Sequence, residues 1–278
     1  MIIYYLIGII LTSILFSVLL YFAYTKKVKF ESEDFKEPKD PILGRLDSTP
    51  VEEYTRVGEE LKNIPIYILN LEKEKERKVH TENLLNKLGF TNYTFVIPVS
   101  LKDAEKSPEL WDVGMPIATK SHVLSYTFCM KKAIENNYKE FIIMEDDLDV
   151  YYDGVSITDV YRAAKHVDWD LLYYEFCFEN CSRTIKLNKN LYKLESPNCA
   201  GFILFNLESA KRILAEFTLK TRDTSIIDLT FQTLSKKKKI NSYGFPILRQ
   251  KDTFGSSIPS SYTYTRKNKF SPICRIRN

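Results

Sequence analysis

Four carboxylates close a short apolar run in Phe141-Ile-Ile-Met-Glu-Asp-Asp-Leu-Asp-Val150. Acids packed this tightly repel one another unless a cation holds them together. Ligation by oxygen alone favours a hard divalent ion, Mg²⁺ or Mn²⁺, over zinc. A strand that continued through the acids would put Glu145, Asp147 and Asp149 on one face and Asp146 on the other. Asp147 then belongs to every metal set that the spacing allows, including the D-x-D pair Asp147-Leu-Asp149. The expectation is a site for a metal and a diphosphate at a strand end, and a solvated acidic turn is the competing reading.

The elements around the acids must place them. An apolar run of this length reads as a buried strand, and open α/β sheets bind ligands beyond the carboxyl ends of such strands. Ile64 to Leu71 is a first strand, followed by a charged helix from about Lys73 with Val79, Leu84, Leu85 and Leu88 on one side and Gly89 as its stop signal. Thr94-Phe-Val-Ile-Pro98 is a second strand, and a helix from about Thr119 to Asn136 leads into the acids. Leu171 to Glu175 and Gly201 to Phe205 read as strands, with helices at Leu207–Phe217 and about Ile226–Leu234. Strands alternating with helices predict an α/β sandwich with a mostly parallel sheet.

The 278 residues carry 40 basic and 36 acidic side chains, which gives no nucleic-acid-like excess. Five cysteines without a CxxC pair and three scattered histidines argue against structural zinc. Cys177 and Cys181 are close enough in sequence for a local disulfide, with reduced thiols as the alternative. Ile2 to Ala23 holds no charged side chain, is long enough to cross a bilayer, and has Tyr4, Tyr5, Tyr21 and Tyr24 near its ends. No basic residue precedes it, so it reads as an uncleaved single-pass anchor (residues 1–24). Residues 25–61 are charged and contain Pro38, Pro41 and Pro50, as a stalk would, and residues 62–278 form the domain. Lys26, Lys27 and Lys29 favour a cytosolic domain, whereas Asn92-Tyr-Thr94 and Asn180-Cys-Ser182 fit the glycosylation acceptor pattern of the opposite side. Lys236 to Lys239 reads as a solvated basic turn.

Several segments, in order, match one family. Ile68-Leu-Asn-Leu71 with Arg77, Ser121-His122, Met144-Glu-Asp-Asp147, Gly201-Phe-Ile-Leu-Phe-Asn206 with Ala210, Ile227-Asp228, Pro246-Ile-Leu-Arg-Gln250 and Ser256-Ser-Ile258 together resemble glycosyltransferase family 25. That family contains lipooligosaccharide and procollagen galactosyltransferases. Two places depart from its pattern. Met115-Pro-Ile-Ala-Thr-Lys120 stands where a Gly-Cys-rich segment is usual, and Lys73 and Lys75 stand where arginines are common. The lysines lack the planar fork with which Arg grips phosphate.

The resemblance implies a GT-A-type, Rossmann-like α/β/α domain. Its activity would be inverting transfer of a hexose, galactose or glucose, from a UDP-sugar to a hydroxyl. The acceptor would be a glycan, a lipid-linked glycan or a protein, and the metal Mn²⁺ or Mg²⁺. On this reading Glu145, Asp147 and Asp149 face the metal, supported by Asp146. Asn70, Arg77 and His122 hold the nucleotide-sugar, with Gln250 and Ser257 on a loop that closes over it. Inversion needs a base for the attacking hydroxyl. Asp228 is the first candidate, against a plain helix N-terminal acid; Glu175 is the second. A catalytically inactive domain used for adhesion or scaffolding is the competing function, and a metal-dependent phosphohydrolase the third.

Overall fold

The structure, a computed structural model, describes residues 56–107, 116–151, 154–176, 183–218, 226–251 and 254. All of them belong to the second of two units into which the chain divides, Pro50–Asn278. The expected anchor and most of the stalk lie outside the described residues. Among the described residues no helix is long and apolar enough to cross a membrane.

The element order is α1 (Glu59–Lys62), β1 (Ile66–Leu69), α2 (Lys75–Leu88), β2 (Tyr93–Val96), α3 (Leu101–Lys106), α4 (Ile117–Glu135), β3 (Glu140–Glu145) and β4 (Leu148–Val150). It continues with α5 (Ile157–Ala164), β5 (Leu171–Tyr173), β6 (Ile185–Asn188), β7 (Leu191–Leu194), β8 (Phe202–Asn206), α6 (Leu207–Thr218), α7 (Ile227–Lys236), β9 (Ser242–Gly244) and β10 (Leu248–Gln250). Eight strands form one sheet in the order β2-β1-β3-β8-β5-β9-β7-β6, and β4 pairs with β10 in a separate ribbon.

The sheet is mixed, which corrects the mostly parallel expectation: three of its pairings are parallel and four antiparallel. The physical reason is β8. The chain between β5 and β8 folds back as the β6–β7 hairpin, so β8 returns antiparallel between β3 and β5. As a result the C-terminal ends of β1, β3 and β5 meet the N-terminal end of β8 at one edge of the sheet.

Strict alternation fills both faces. Ile142, Met144, Leu172, Phe202 and Leu204 pack on one side with α2 and α5; Phe141, Ile143, Leu171, Ile203 and Phe205 pack on the other with α4, α6 and α7. Strands buried on both faces carry the continuous apolar runs seen in β3 and β8. In α2 the inner face is Arg77, Thr81, Leu84, Leu85 and Leu88, while Val79 is 56% exposed. The sequence expectation therefore put Val79 on the wrong face, because the helical period runs back from Leu85 to Thr81 and Arg77. Gly89 ends α2 with φ of 84°, in the left-handed region where a side chain is costly.

The chain reaches this fold before residue 62. Leu61 is fully buried, and the Val57 N–H donates to the Leu88 carbonyl.

Candidate active site

The acids do not continue β3. The strand ends at Glu145, Asp146 and Asp147 form a turn, and the chain resumes in β4 at the fully buried Leu148. The expected alternation through Asp149 is thereby broken, since Asp146 and Asp147 both approach Arg77. The turn is needed because β4 leaves the sheet to pair with β10, with Gln250 opposite Leu148 and Arg249 opposite Asp149.

Asp146 is gripped from two elements. Asn70, one residue beyond β1, donates to its Oδ2 at 2.7 Å, and Arg77 of α2 donates to its Oδ1 at 2.9 Å. The same Arg77 nitrogen lies 3.7 Å from Asp147, and the other terminal nitrogen donates to the Phe254 carbonyl at 2.7 Å. Arg77 is only 6% exposed, which rules out a solvated helix residue. The Phe254 ring meets the Arg77 and Lys251 cations and packs edge-to-face with His80. Lys251 approaches His80 Nδ1 at 3.3 Å and leaves its Nε2–H to donate to the Leu148 carbonyl at 2.8 Å. Burial raises the Asp146 carboxyl, against the pull of Asn70 and Arg77.

Glu145 points to the other side of the turn. His122 Nε2, on α4, lies 3.0 Å from Glu145 Oε1, and Gln250 also hydrogen-bonds this carboxylate. Burial works to raise Glu145, but the hydrogen bond and charge of His122 outweigh it, and the carboxyl is held below its ordinary range. The imidazole mirrors this. Burial works to lower it, and Glu145 holds it above its ordinary value. Both directions describe one half-buried imidazolium–carboxylate pair.

Three further carboxyls face this pair with little compensation. Asp147 is pushed up to about 7 by burial and by Glu145, with Arg77 opposing, and its Oδ1 is buried without a hydrogen-bond partner. Glu175, just beyond β5, is fully buried. Its Oε2 accepts the Gly201 N–H at 2.9 Å, and its Oε1 has no hydrogen-bond partner. Burial and then the Glu145 charge push it well above the ordinary range. Asp228, in the first turn of α7, is raised to about 6 by burial and by Glu145, while His122 and the Cys199 N–H pull the other way. A Cβ on Gly201 would lie 2.8 Å from Leu148 Cδ2 and 2.9 Å from Glu175 Oε2, so the approach of β8 to the acid requires glycine there.

The fold thus assembles Asn70, Arg77, His122, Glu145, Asp146, Asp147, Glu175, Asp228 and Gln250 at one sheet edge. Asp149 sits one strand further out, where its Oδ1 accepts the Val150 N–H. Ser257 lies outside the described residues. Among the described residues no three His, Cys, Asp or Glu side chains form a ready-made metal cage.

Sequence reasoning missed Tyr126, Cys199 and Ala200, and took Gly201 only as the start of a strand. Tyr126 lies one turn after His122, and its ring meets the imidazole at 5.0 Å, a contact that i,i+4 spacing could have flagged. The Cys199-Ala200-Gly201 segment reaches the site through its backbone, which residue type alone does not reveal. Cys199 is disulfide-bonded and Cys129 is a buried free thiol; Cys177 and Cys181 lie outside the described residues.

Comparison with known proteins gives no match to any family model and none to any curated protein. Among solved structures the chain is similar to a glycosyltransferase involved in the glycosylation of the major capsid of PBCV-1 (12% identity, 69% of this chain and 94% of that one, TM-score 0.39). It is also similar to mannose-1-phosphate geranyltransferase from Thermus thermophilus (9% identity, 68% and 74%, TM-score 0.35). A third is mouse xyloside xylosyltransferase 1 (12% identity, 70% and 72%, TM-score 0.34). Likeness at this level carries no weight for fold or function, so the chemistry rests on the site.

Proposed function

We propose that this domain is an inverting, metal-dependent glycosyltransferase of the GT-A type, close to family 25, that moves a hexose from a UDP-sugar to an acceptor hydroxyl. The observation that carries the reading is the cluster of five carboxyls at one sheet edge, of which Asp147 keeps a buried oxygen without a partner. An acid left in that state calls for a cation. Mg²⁺ and Mn²⁺ are commonly held by one or two carboxylates together with substrate phosphates rather than by an all-protein cage. The residues fit such a group. Asp147 would hold it, with Glu145 and Asp149, the acids two positions to either side, as further candidates beside a donor diphosphate. When bound, the metal would act as a Lewis acid on the leaving diphosphate.

The chain's own groups divide the remaining work. Arg77, fixed by Asp146, presents a permanent positive charge beside Asp147, where diphosphate charge would gather. Asn70 fixes the other Asp146 oxygen and keeps the turn in place. Asp228 is the general base: its position near 6 lets it be ionised at neutral pH while still accepting a proton readily. In the reaction the acceptor oxygen bonds to the anomeric carbon as the bond to the diphosphate oxygen breaks. The electron pair leaves on the diphosphate, and the hydroxyl proton passes to Asp228. Glu175, pushed well above the ordinary carboxylate range by burial and then by Glu145, is suited to donate a hydrogen bond to the acceptor through its unpartnered oxygen. Two acids pushed to different positions by their surroundings mark two roles.

An inactive domain for adhesion or scaffolding is the second reading, and one observation favours it. Both terminal nitrogens of Arg77 are engaged, by Asp146 and by the Phe254 carbonyl, so a donor phosphate would have to displace the latter. The membrane anchor at residues 1–24 remains part of the proposal. For the side of the membrane, the disulfide at Cys199 supports an oxidising compartment, against the cytosolic side favoured by Lys26, Lys27 and Lys29.

The test is UDP release from a panel of UDP-sugars, each with an acceptor panel, in Mn²⁺ and in EDTA, with Asp147→Asn alongside. Release for one sugar that disappears with EDTA and in the variant supports the enzyme. UMP and sugar 1-phosphate in place of UDP would instead indicate a phosphohydrolase.

A further inference from the structure

Three consecutive residues before β8 bind the site together through their backbone. The Cys199 N–H donates to the Asp228 carboxylate. The Ala200 carbonyl accepts from the Tyr126 hydroxyl, and Tyr126 packs against His122. The Gly201 N–H donates to Glu175 at 2.9 Å, and its carbonyl accepts the Glu145 N–H at 2.8 Å. One tripeptide therefore touches both candidate acceptor-side acids, the helix that carries His122, and the end of the strand that carries Glu145.

Its conformation is not one that the sequence alone favours. Cys199 has a φ of 67°, one of three non-glycine residues with positive φ among the described residues. A residue with a side chain is rarely stable there unless its surroundings hold it. Cys199 is also disulfide-bonded, which supplies such a constraint at the residue whose N–H reaches Asp228.

We propose that Cys199 is a positioning residue, whose disulfide holds the Cys199-Ala200-Gly201 backbone so that Asp228 and Glu175 face the acceptor. The inference rests on the proposed roles of those two acids. It reaches the donor side only through the Glu145 N–H and the Tyr126–His122 contact; Asn70, Arg77 and Asp147 are held by other elements. The consequence is a transfer step that depends on the oxidation state of Cys199. A dithiol would supply two electrons and two protons, open the bridge to two thiols, and itself become a cyclic disulfide.

The full chain is tested as wild type, as wild type reduced with dithiothreitol, and as Cys199→Ser. Turnover should fall about tenfold in the latter two, the order expected when hydrogen bonds to charged groups are lost, with KM for the UDP-sugar unchanged. Cys199→Ser should no longer respond to dithiothreitol. Amide exchange over residues 196–206 reads the scaffold without any turnover and should quicken on reduction of the folded wild-type protein. Faster exchange in a protein that transfers no sugar would leave the scaffold standing and fault only the enzymatic reading. Unchanged exchange on reduction, or a Cys199→Ser protein with wild-type turnover, would overturn the proposal. A rise in KM that matches the fall in turnover would also overturn it, since the donor side would then be affected.

Discussion

The two halves of the site handle buried acids in opposite ways. On the donor side, Asp146 has a full set of partners: a guanidinium, a side-chain amide and a place in a turn. On the acceptor side Glu175 is fully buried and Asp228 half-buried, each accepting a backbone N–H and neither gripped by a guanidinium. The first arrangement keeps a charge in place by pairing it. The second leaves the charge without a cation, so both carboxyls are raised, Glu175 well above the ordinary range and Asp228 only to about 6. A site that must collect a polyanion at one end and accept a proton at the other needs both. Asp147 stands at the border, beside Arg77 but raised to about 7, and this is where a cation would change the balance.

The largest expected effect breaks the paired half. Arg77→Ala removes the cation from Asp146 and leaves a buried, uncompensated carboxylate, which costs about 3–5 kcal/mol of stability. Chemical denaturation of wild type and variant measures it. A loss below about 1 kcal/mol would mean that Asp146 finds water instead.

The unpaired half should show itself in the pH dependence of stability. Asp228 moves from 3.8 to about 6 and Asp147 to about 7, so between about pH 5 and 7 the folded protein holds protons that the unfolded chain has released. The stability that these groups contribute is complete at low pH and is lost as pH rises through those values. His122, raised by Glu145, adds in the same direction. The depressed Glu145 works oppositely, but its contribution is lost only as pH falls below about 4.5. In EDTA the unfolding midpoint should therefore decline from pH 5 to pH 7, and Mn²⁺ should flatten the decline. A midpoint that climbs over this range would contradict the protonated acids.

The smallest effect sharpens the contrast. Glu175→Gln replaces an acid raised well above the ordinary range by a neutral isostere that can still accept the Gly201 N–H, so stability should change by less than about 1 kcal/mol. Turnover is the sensitive readout there. A severe loss of stability would show that Glu175 is ionised after all.

How much of this could be read from the sequence follows from burial. β3 and β8 lie in the middle of the sheet, covered on both faces, and their apolar runs are unmistakable. The acids after β3, and Asn70, Arg77, His122 and Asp228, stood out because side-chain chemistry is written in the residue type. The β6–β7 hairpin was missed because β6 is exposed along its whole length, so no buried face marks it. β9 is three residues long and buried, too short for any period to register. The antiparallel return of β8 depends on that hairpin, which explains why the alternation of strands and helices suggested a more parallel sheet. The turn at Asp146–Asp147 was hidden for a different reason: the β4–β10 ribbon that forces it pairs residues about a hundred positions apart. Val79 shows the cost of reading hydrophobicity alone, since the inner face of α2 begins with an arginine that the fold buries for its charge.

The most direct measurement is calorimetric titration of UDP into the protein with and without Mn²⁺, on wild type and on Asp147→Asn. One UDP bound per chain only when Mn²⁺ is present, and lost in the variant, is the expected result. UDP binding that is equally strong in EDTA, or no binding under any condition, would contradict the proposal that the acids at the end of β3 hold a metal-bound nucleotide-sugar.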